Sequence, residues 1–227
     1  MLDTQTSRSA DRAKARPLFA FGERKFLPRA KYRVVAAAMP LFAEGLAKAE
    51  TARIVDGAVC LCQQTADGSR HVLDVLGPGY LVGSFLTDIE RCNVMALTRT
   101  RLASVAASAE AGEVAEATRR MLARAQSHAI LLRRNGVSER VATCLLDLVD
   151  QFGVASDDGP DDETVLTLHL NRGDLADWLG LTLASVSRGL NEFKRAGLIA
   201  FDHPKVIAVR DRASLEALAC GARLPDA

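Results

Sequence analysis

Asn171-Arg-Gly-Asp-Leu-Ala-Asp-Trp-Leu-Gly-Leu-Thr-Leu-Ala-Ser-Val-Ser-Arg-Gly-Leu-Asn-Glu-Phe-Lys-Arg-Ala-Gly197 is the stretch whose reading decides the fold. It reads as two short helices joined by a tight turn. Asn171 is a good N-cap, and Asp174 places a carboxylate beside free backbone N–H groups at the positive end of the helix dipole. Leu175, Ala176 and Leu179 share one face at helical spacing. Gly180 can take the left-handed conformation that ends a helix. Thr182 can cap a second helix, on which Val186, Leu190 and Phe193 form an inward stripe. Ser185, Ser187, Arg188, Asn191 and Lys194 point away from it. Small Ala176, turning Gly180 and core-filling Val186 make a helix-turn-helix, a motif whose second helix lies in the DNA major groove.

Outward from this motif, bulk properties narrow the classes. The 227 residues, 48% apolar, suit one large domain or two modest ones. Formal net charge is only +1, so DNA binding must come from a local patch rather than the whole surface. Aromatic residues at 5% are too few for a stacking platform for single strands. Cys60, Cys62, Cys92, Cys144 and Cys220 are odd in number and scattered, without a C-x-x-C pair, which points to reduced thiols and a cytoplasmic protein. Val34 to Ala43 is apolar but too short to span a bilayer, and reads as a buried strand or helix; no membrane association is expected.

Residues 1–30 read as a flexible tail, polar and with little to bury. Residues 31–110 read as a β domain. Glycines at Gly45, Gly57, Gly68 and Gly79 recur at about eleven-residue spacing between short β-prone runs, the mark of an antiparallel sandwich, barrel or jelly roll. The runs are Ala52–Asp56, Ala58–Gln63, His71–Leu76 and Val94–Thr98, with Asp67-Gly68 as a hairpin turn. Residues 111–135 switch to helical periodicity. Val114, Ala117, Met121, Ala125 and Leu132 form a stripe interrupted by His128, a natural dimerisation element. Residues 136–227 carry a further helix over Val137–Phe152, capped by Ser138, then an acidic loop and the helix-turn-helix. A hairpin wing over Leu198–Val209 and a last helix over Ala213–Cys220 close the chain.

This layout is similar to that of the CRP/FNR superfamily of bacterial transcription regulators, and the motif Arg172–Arg188 resembles the signature of its FNR/FixK branch. Glu44-Gly45, Val55-Asp-Gly57, Asp67-Gly68 and Gly77-Pro-Gly-Tyr-Leu-Val-Gly83 fall where the family's β-roll places its turns. The resemblance implies an α+β fold: an N-terminal cyclic-nucleotide-binding-like β-roll (jelly roll), a long dimerisation helix and a C-terminal winged helix-turn-helix. It implies a homodimer that reads palindromic double-stranded DNA, related to a TTGA element. Arg188 would read a guanine, Ser187 a neighbouring base edge or thymine methyl, and Arg172 would clamp a phosphate. Thr182, Ala184, Ser185, Asn191, Lys194 and Lys205 complete the expected DNA-binding set. One departure is plain: the family usually carries Glu where this chain has Ala184. Gly189, in mid-helix, is a second oddity, read as close packing.

The effector pocket is expected around Gly83, Ser84, Arg91, Cys92 and Gln126. Arg91 stands at the family's cyclic-phosphate arginine, but Ser84 replaces the glutamate that holds the ribose, which disfavours cyclic AMP. Haem ligation by His71, His128, Cys60 or Cys92 stays open, as does a redox role for Cys92 beside Arg91. No cysteine cluster precedes Cys60, so no iron–sulfur cluster is expected, and no metal site is read. The acidic Asp157, Asp158, Asp161 and Asp162 fall where the family presents a surface to RNA polymerase. Two other functions compete: a regulator switched by an effector in the β-roll, and a ligand-binding module that does not engage DNA. No Ser/His/Asp arrangement, phosphate loop or metal spacing supports an enzyme.

Overall fold

The computed structural model describes residues 32–45, 47, 50–66, 68–83, 91–105, 111–134, 136–156 and 163–223. The expected N-terminal tail (1–30), Asp67 of the hairpin, Ser84 of the expected pocket and the acidic Asp157, Asp158, Asp161 and Asp162 lie outside the described residues.

The N-terminal half contains β1 (Tyr32–Val35), β2 (Pro40–Phe42), β3 (Ala52–Asp56), β4 (Val59–Gln64), β5 (Arg70–Leu76), β6 (Leu81–Val82), β7 (Asn93–Ala96) and β8 (Thr100–Ser104). They build two antiparallel sheets, ordered β1-β8-β3-β6 and β2-β7-β4-β5, which enclose Ile54, Val59, Leu76, Tyr80, Val94 and Leu102. The run Val34 to Ala43 is strand in part and only partly buried: Val34 is half exposed, Leu41 and Phe42 enter the core, and Val35 packs against it. Among the described residues β1 is an edge strand that pairs with β8, and Tyr32 and Val34 stand 43% and 50% exposed.

Alternation along β4 explains how this half meets the rest of the chain. Val59 and Leu61 face the interior of the β-roll, whereas Cys60 and Cys62 join the core of the C-terminal half. On β5, Val72 and Val75 both join that second core although they are three residues apart. A β-bulge makes this possible. Leu61 opposes Asp74 while Cys62 opposes Val72, so Leu73 is the extra residue and is 42% exposed.

Helix α1 (Ala111–Arg133) leads to α2 (Val137–Phe152), then β9 (Val154–Ala155), β10 (Thr164–Thr167), α3 (Arg172–Trp178), α4 (Leu183–Arg195), β11 (Ile199–Ala200), β12 (Val206–Val209) and α5 (Arg212–Ala219). α2 is not capped by Ser138: the helix starts one residue earlier, and its N-cap is Gly136 with no side-chain bond. β9 to β12 form a sheet of order β11-β12-β10-β9, so the wing is larger than the hairpin read from sequence. Strand β10, four residues long, carries too short an apolar signal to be recognised alone.

The stripe read on α1 also divides. Val114, Ala117, Met121 and His128 are half-buried against their own chain, with Met121 packed on the β-roll core. The large apolar groups left exposed are Leu122 (57%), Ile130 (58%) and Leu132 (40%). Among the described residues no helix is long and apolar enough to cross a membrane.

Candidate nucleic-acid interface

The helix-turn-helix is held by the residues that its sequence singled out. The Asn171 side chain accepts from the Asp174 backbone N–H at 2.9 Å and donates to the Asp174 carboxylate at 2.9 Å, tying off the first turn of α3. Gly180 has φ +59°, a conformation that L side chains rarely adopt. Thr182 Oγ1 accepts from the Ser185 N–H at 3.1 Å and starts α4. Val186, Leu190 and Phe193 are buried against α2 and α3.

That burial turns the opposite face of α4 outward. Ala184, Arg188, Asn191 and Lys194 are exposed, Ser187 is half-buried, and Thr182 stands exposed at the cap. Among the described residues no side chain pairs with Arg188. The Ser185 hydroxyl lies 2.9 Å from that of Thr182, at the start of the helix.

The wing meets α4 across a groove of about 350 Å³, lined by Arg172, Ser187, Asn191, Lys194, Phe201 and Pro204 among others. Two cations are seated over the Phe201 ring: the Arg172 guanidinium at 5.6 Å and the Lys194 ammonium at 4.7 Å. Lys194 also donates to the Phe201 carbonyl at 2.5 Å and stands 3.7 Å from Asp202. Burial lowers the Arg172 pKa, and its Nη1 is buried without a hydrogen-bond partner. A half-desolvated guanidinium lining this groove suits an anion such as a phosphate. Lys205 is exposed on the wing.

The motif is also bonded to the remainder of the chain. Asp177 of α3 accepts from the Val72 backbone N–H at 2.5 Å and pairs with His71 Nδ1 at 2.8 Å, while Arg70 reaches Asp174 at 2.6 Å. Arg140 of α2 donates to the carbonyls of Leu132 and Arg134 at the end of α1, and to those of Leu179 and Gly180 in the turn. One guanidinium thus fixes the turn against the helix end, neutralising carbonyls that neither helix satisfies.

Deeper in the same joint, Arg124 of α1 is 2% exposed and bonds both Asp74 of β5, at 2.6 and 2.7 Å, and Asp147 of α2, at 2.7 Å. Burial opposes the Arg124 charge, but the two carboxylates outweigh it and hold its pKa well above the usual value. Gln151 adds a bond to Asp147 and accepts from the Gly77 N–H. His128, one turn after Arg124, stacks on Trp178 with centroids 5.9 Å apart, and burial lowers its pKa. Sequence reading missed Arg124, Asp147 and Arg140. The signal was a charge on an otherwise apolar helix face, with Asp147 falling between Leu145 and Leu148.

Of the expected effector residues, Gly83, Arg91, Cys92 and Gln126 are among those described. Gly83 has φ +104°, and a Cβ there would stand 2.3 Å from the Glu50 carbonyl oxygen, so the backbones require glycine. Arg91 is exposed and Cys92 half-buried. Gln126 is exposed on α1, on the side of Leu122 and away from buried Arg124. His71 and His128 are engaged with Asp177 and Trp178, and Cys60 is fully buried. Among the described residues no three His, Cys, Asp or Glu side chains gather as metal ligands.

Residues 32–111 match the cyclic nucleotide-binding domain, and residues 139–218 match the Crp-like helix-turn-helix domain. The nitrogen fixation regulation protein FixK of Azorhizobium caulinodans is 33% identical over 175 residues, covering 73% of this chain and 69% of that protein. The transcriptional activator protein FnrL of Cereibacter sphaeroides is 28% identical over 177 residues, 72% of this chain and 70% of its own. The structure of FixK2 from Bradyrhizobium japonicum superimposes with a TM-score of 0.73 at 27% identity, covering 86% of this chain and 99% of that one.

Proposed function

Because this chain belongs to the CRP/FNR family and is a FixK/FNR-like transcription regulator with a helix-turn-helix DNA-binding domain, we propose that it works as a homodimer on palindromic DNA. The observation that carries the reading is Arg188. It stands exposed, with no partner among the described residues, on the outward face of a helix whose other side is locked into the core. A guanidinium held so can pair bidentately with guanine O6 and N7. Arg172 and Lys194, seated at the groove, and Lys205 on the wing would meet phosphates and set the register. Leu122, Ile130 and Leu132 on α1 would cover one another across a two-fold axis. That axis spaces two recognition helices about one turn of DNA apart. The acidic Asp157, Asp158, Asp161 and Asp162 would face RNA polymerase, in a cytoplasmic protein.

Selection of bound duplexes from a random pool tests the reading. A palindrome with half-sites separated by about 10 base pairs is expected. Recovery of unrelated sequences would overturn it.

A switched version of the same function draws on one further observation: α3 is bonded directly to β5 through Asp177 and Val72. Any effector that displaced β5 would act on α3, which shares its core with the recognition helix α4. Which group could do so is tested by the visible spectrum of the purified protein and by DNA titrations with and without cyclic AMP.

A further inference from the structure

The first turn of α4 differs in chemistry from the rest of its outward face. Leu183 is 55% exposed, and Ala184 beside it is exposed as well. The first turn contains no acidic side chain. Its polar groups are used locally: Thr182 Oγ1 accepts from the Ser185 N–H and lies 2.9 Å from the Ser185 hydroxyl. What remains at the leading end of the helix is apolar.

An exposed leucine is ordinary when it stands alone on a surface. Here it occupies the end of a recognition helix that approaches base edges first. Leu183 stands one turn before Ser187, and Ala184 one turn before Arg188, so both pairs share a line along the helix. A base amino or keto group pressed against these side chains would lose water and gain no partner. The one major-groove group that gains from such contact is the thymine methyl.

We propose that Leu183 and Ala184 are specificity-determining residues that read the 5-methyl group of a thymine adjoining the base pair contacted by Arg188. One helical turn rises about 5.4 Å and one base step about 3.4 Å, which places the methyl one or two base pairs away. The inference rests on the DNA-binding reading above. It goes beyond it by assigning the consequence of losing an acid at position 184: a half-site that demands a methyl where a carboxylate would demand an amino group.

The test uses the full-length protein and the palindrome recovered from random duplexes. Each thymine is replaced in turn by deoxyuridine, which keeps the hydrogen-bonding edge and removes only the methyl. At one or two positions per half-site, affinity should fall about four-fold, the ratio carried by one buried methyl group. Leu183→Ala should flatten that response at the same position. Ala184→Glu should abolish it and move the preference to a base that presents an amino group. A palindrome whose affinity is indifferent to every thymine methyl overturns this inference and leaves DNA binding intact. Failure to recover any site overturns both.

Discussion

Arg124 and Arg188 carry the same guanidinium and meet opposite surroundings. Around Arg124, Asp74 and Asp147 use the donors in bidentate pairs, and the side chain is 2% exposed. Around Arg188 the described residues offer no partner, and the side chain faces solvent. The first joins β5, α1 and α2 into one body, with Arg140 extending the joint to the turn before α4. The second finds no acceptor among the described residues. The same residue type stabilises in one place and recognises in the other, and the difference is whether the fold supplies its acceptors. A regulator of this kind needs both, since a free reading side chain is useful only on a helix whose position is fixed.

The largest effect is expected at the joint. Arg124→Ala leaves Asp74 and Asp147 buried without their cation, and should cost about 3–5 kcal/mol of stability, measured by urea unfolding. Arg124→Met combined with Asp147→Leu should recover much of the loss, because packed apolar groups replace buried ion pairs at little cost. If Arg124→Ala unfolded at the wild-type midpoint, the joint would not be the structural unit described.

Arg188→Ala should give the reverse pattern. Discrimination between the selected palindrome and random duplex should fall by about 1–3 kcal/mol per half-site, while the urea midpoint stays unchanged. Salt-sensitive nonspecific binding should persist, because phosphate contacts carry it. A variant that still preferred its palindrome by the wild-type ratio would remove Arg188 from the reading face.

A smaller effect follows from two half-buried histidines, His128 beside the joint and His169 against Phe152. Burial lowers the pKa of His128, and Arg124 lowers it further while Asp74 raises it; burial and Lys205 lower that of His169. Each is therefore neutral in the folded chain at a pH where the unfolded chain is already protonated. Stability is complete above 6.5, the ordinary value, and is lost progressively as pH falls through it. His128→Gln should reduce that fall in urea titrations between pH 7 and pH 5, a window set around the ordinary histidine value of about 6.5.

Much of the recognition motif was legible because several of its determinants are local: Asn171, Gly180 and Thr182 each act within a turn of themselves. The joint was not. Arg124, Asp74 and Asp147 are drawn together from three elements by tertiary packing, and nothing in the order of the chain announces that meeting. The same holds for Leu73, whose exposure depends on a bulge set by strand pairing, and for the α1 stripe, half of which turned out to serve its own chain. Leu183 was overlooked for a different reason. Periodicity sorts apolar residues inward, and an apolar residue placed outward for contact with DNA breaks that rule.

The smallest effect tests the boundary between the two regions, where the back of α4 rests on α2. Gly189 is buried there, and close packing was the reason read for a glycine in mid-helix. A Cβ at this position would meet Val141 Cγ2 at 3.5 Å and Val137 Cγ1 at 3.6 Å, ordinary van der Waals distances. The packing therefore does not require glycine. Gly189→Ala should stabilise the chain by about 0.4–1 kcal/mol, from helix propensity and a less flexible unfolded state. DNA affinity should not change if α2 and α4 keep this separation on DNA. A variant that is more stable yet binds its palindrome more weakly would show that the two helices close further when DNA is bound, and that Gly189 leaves room for the movement.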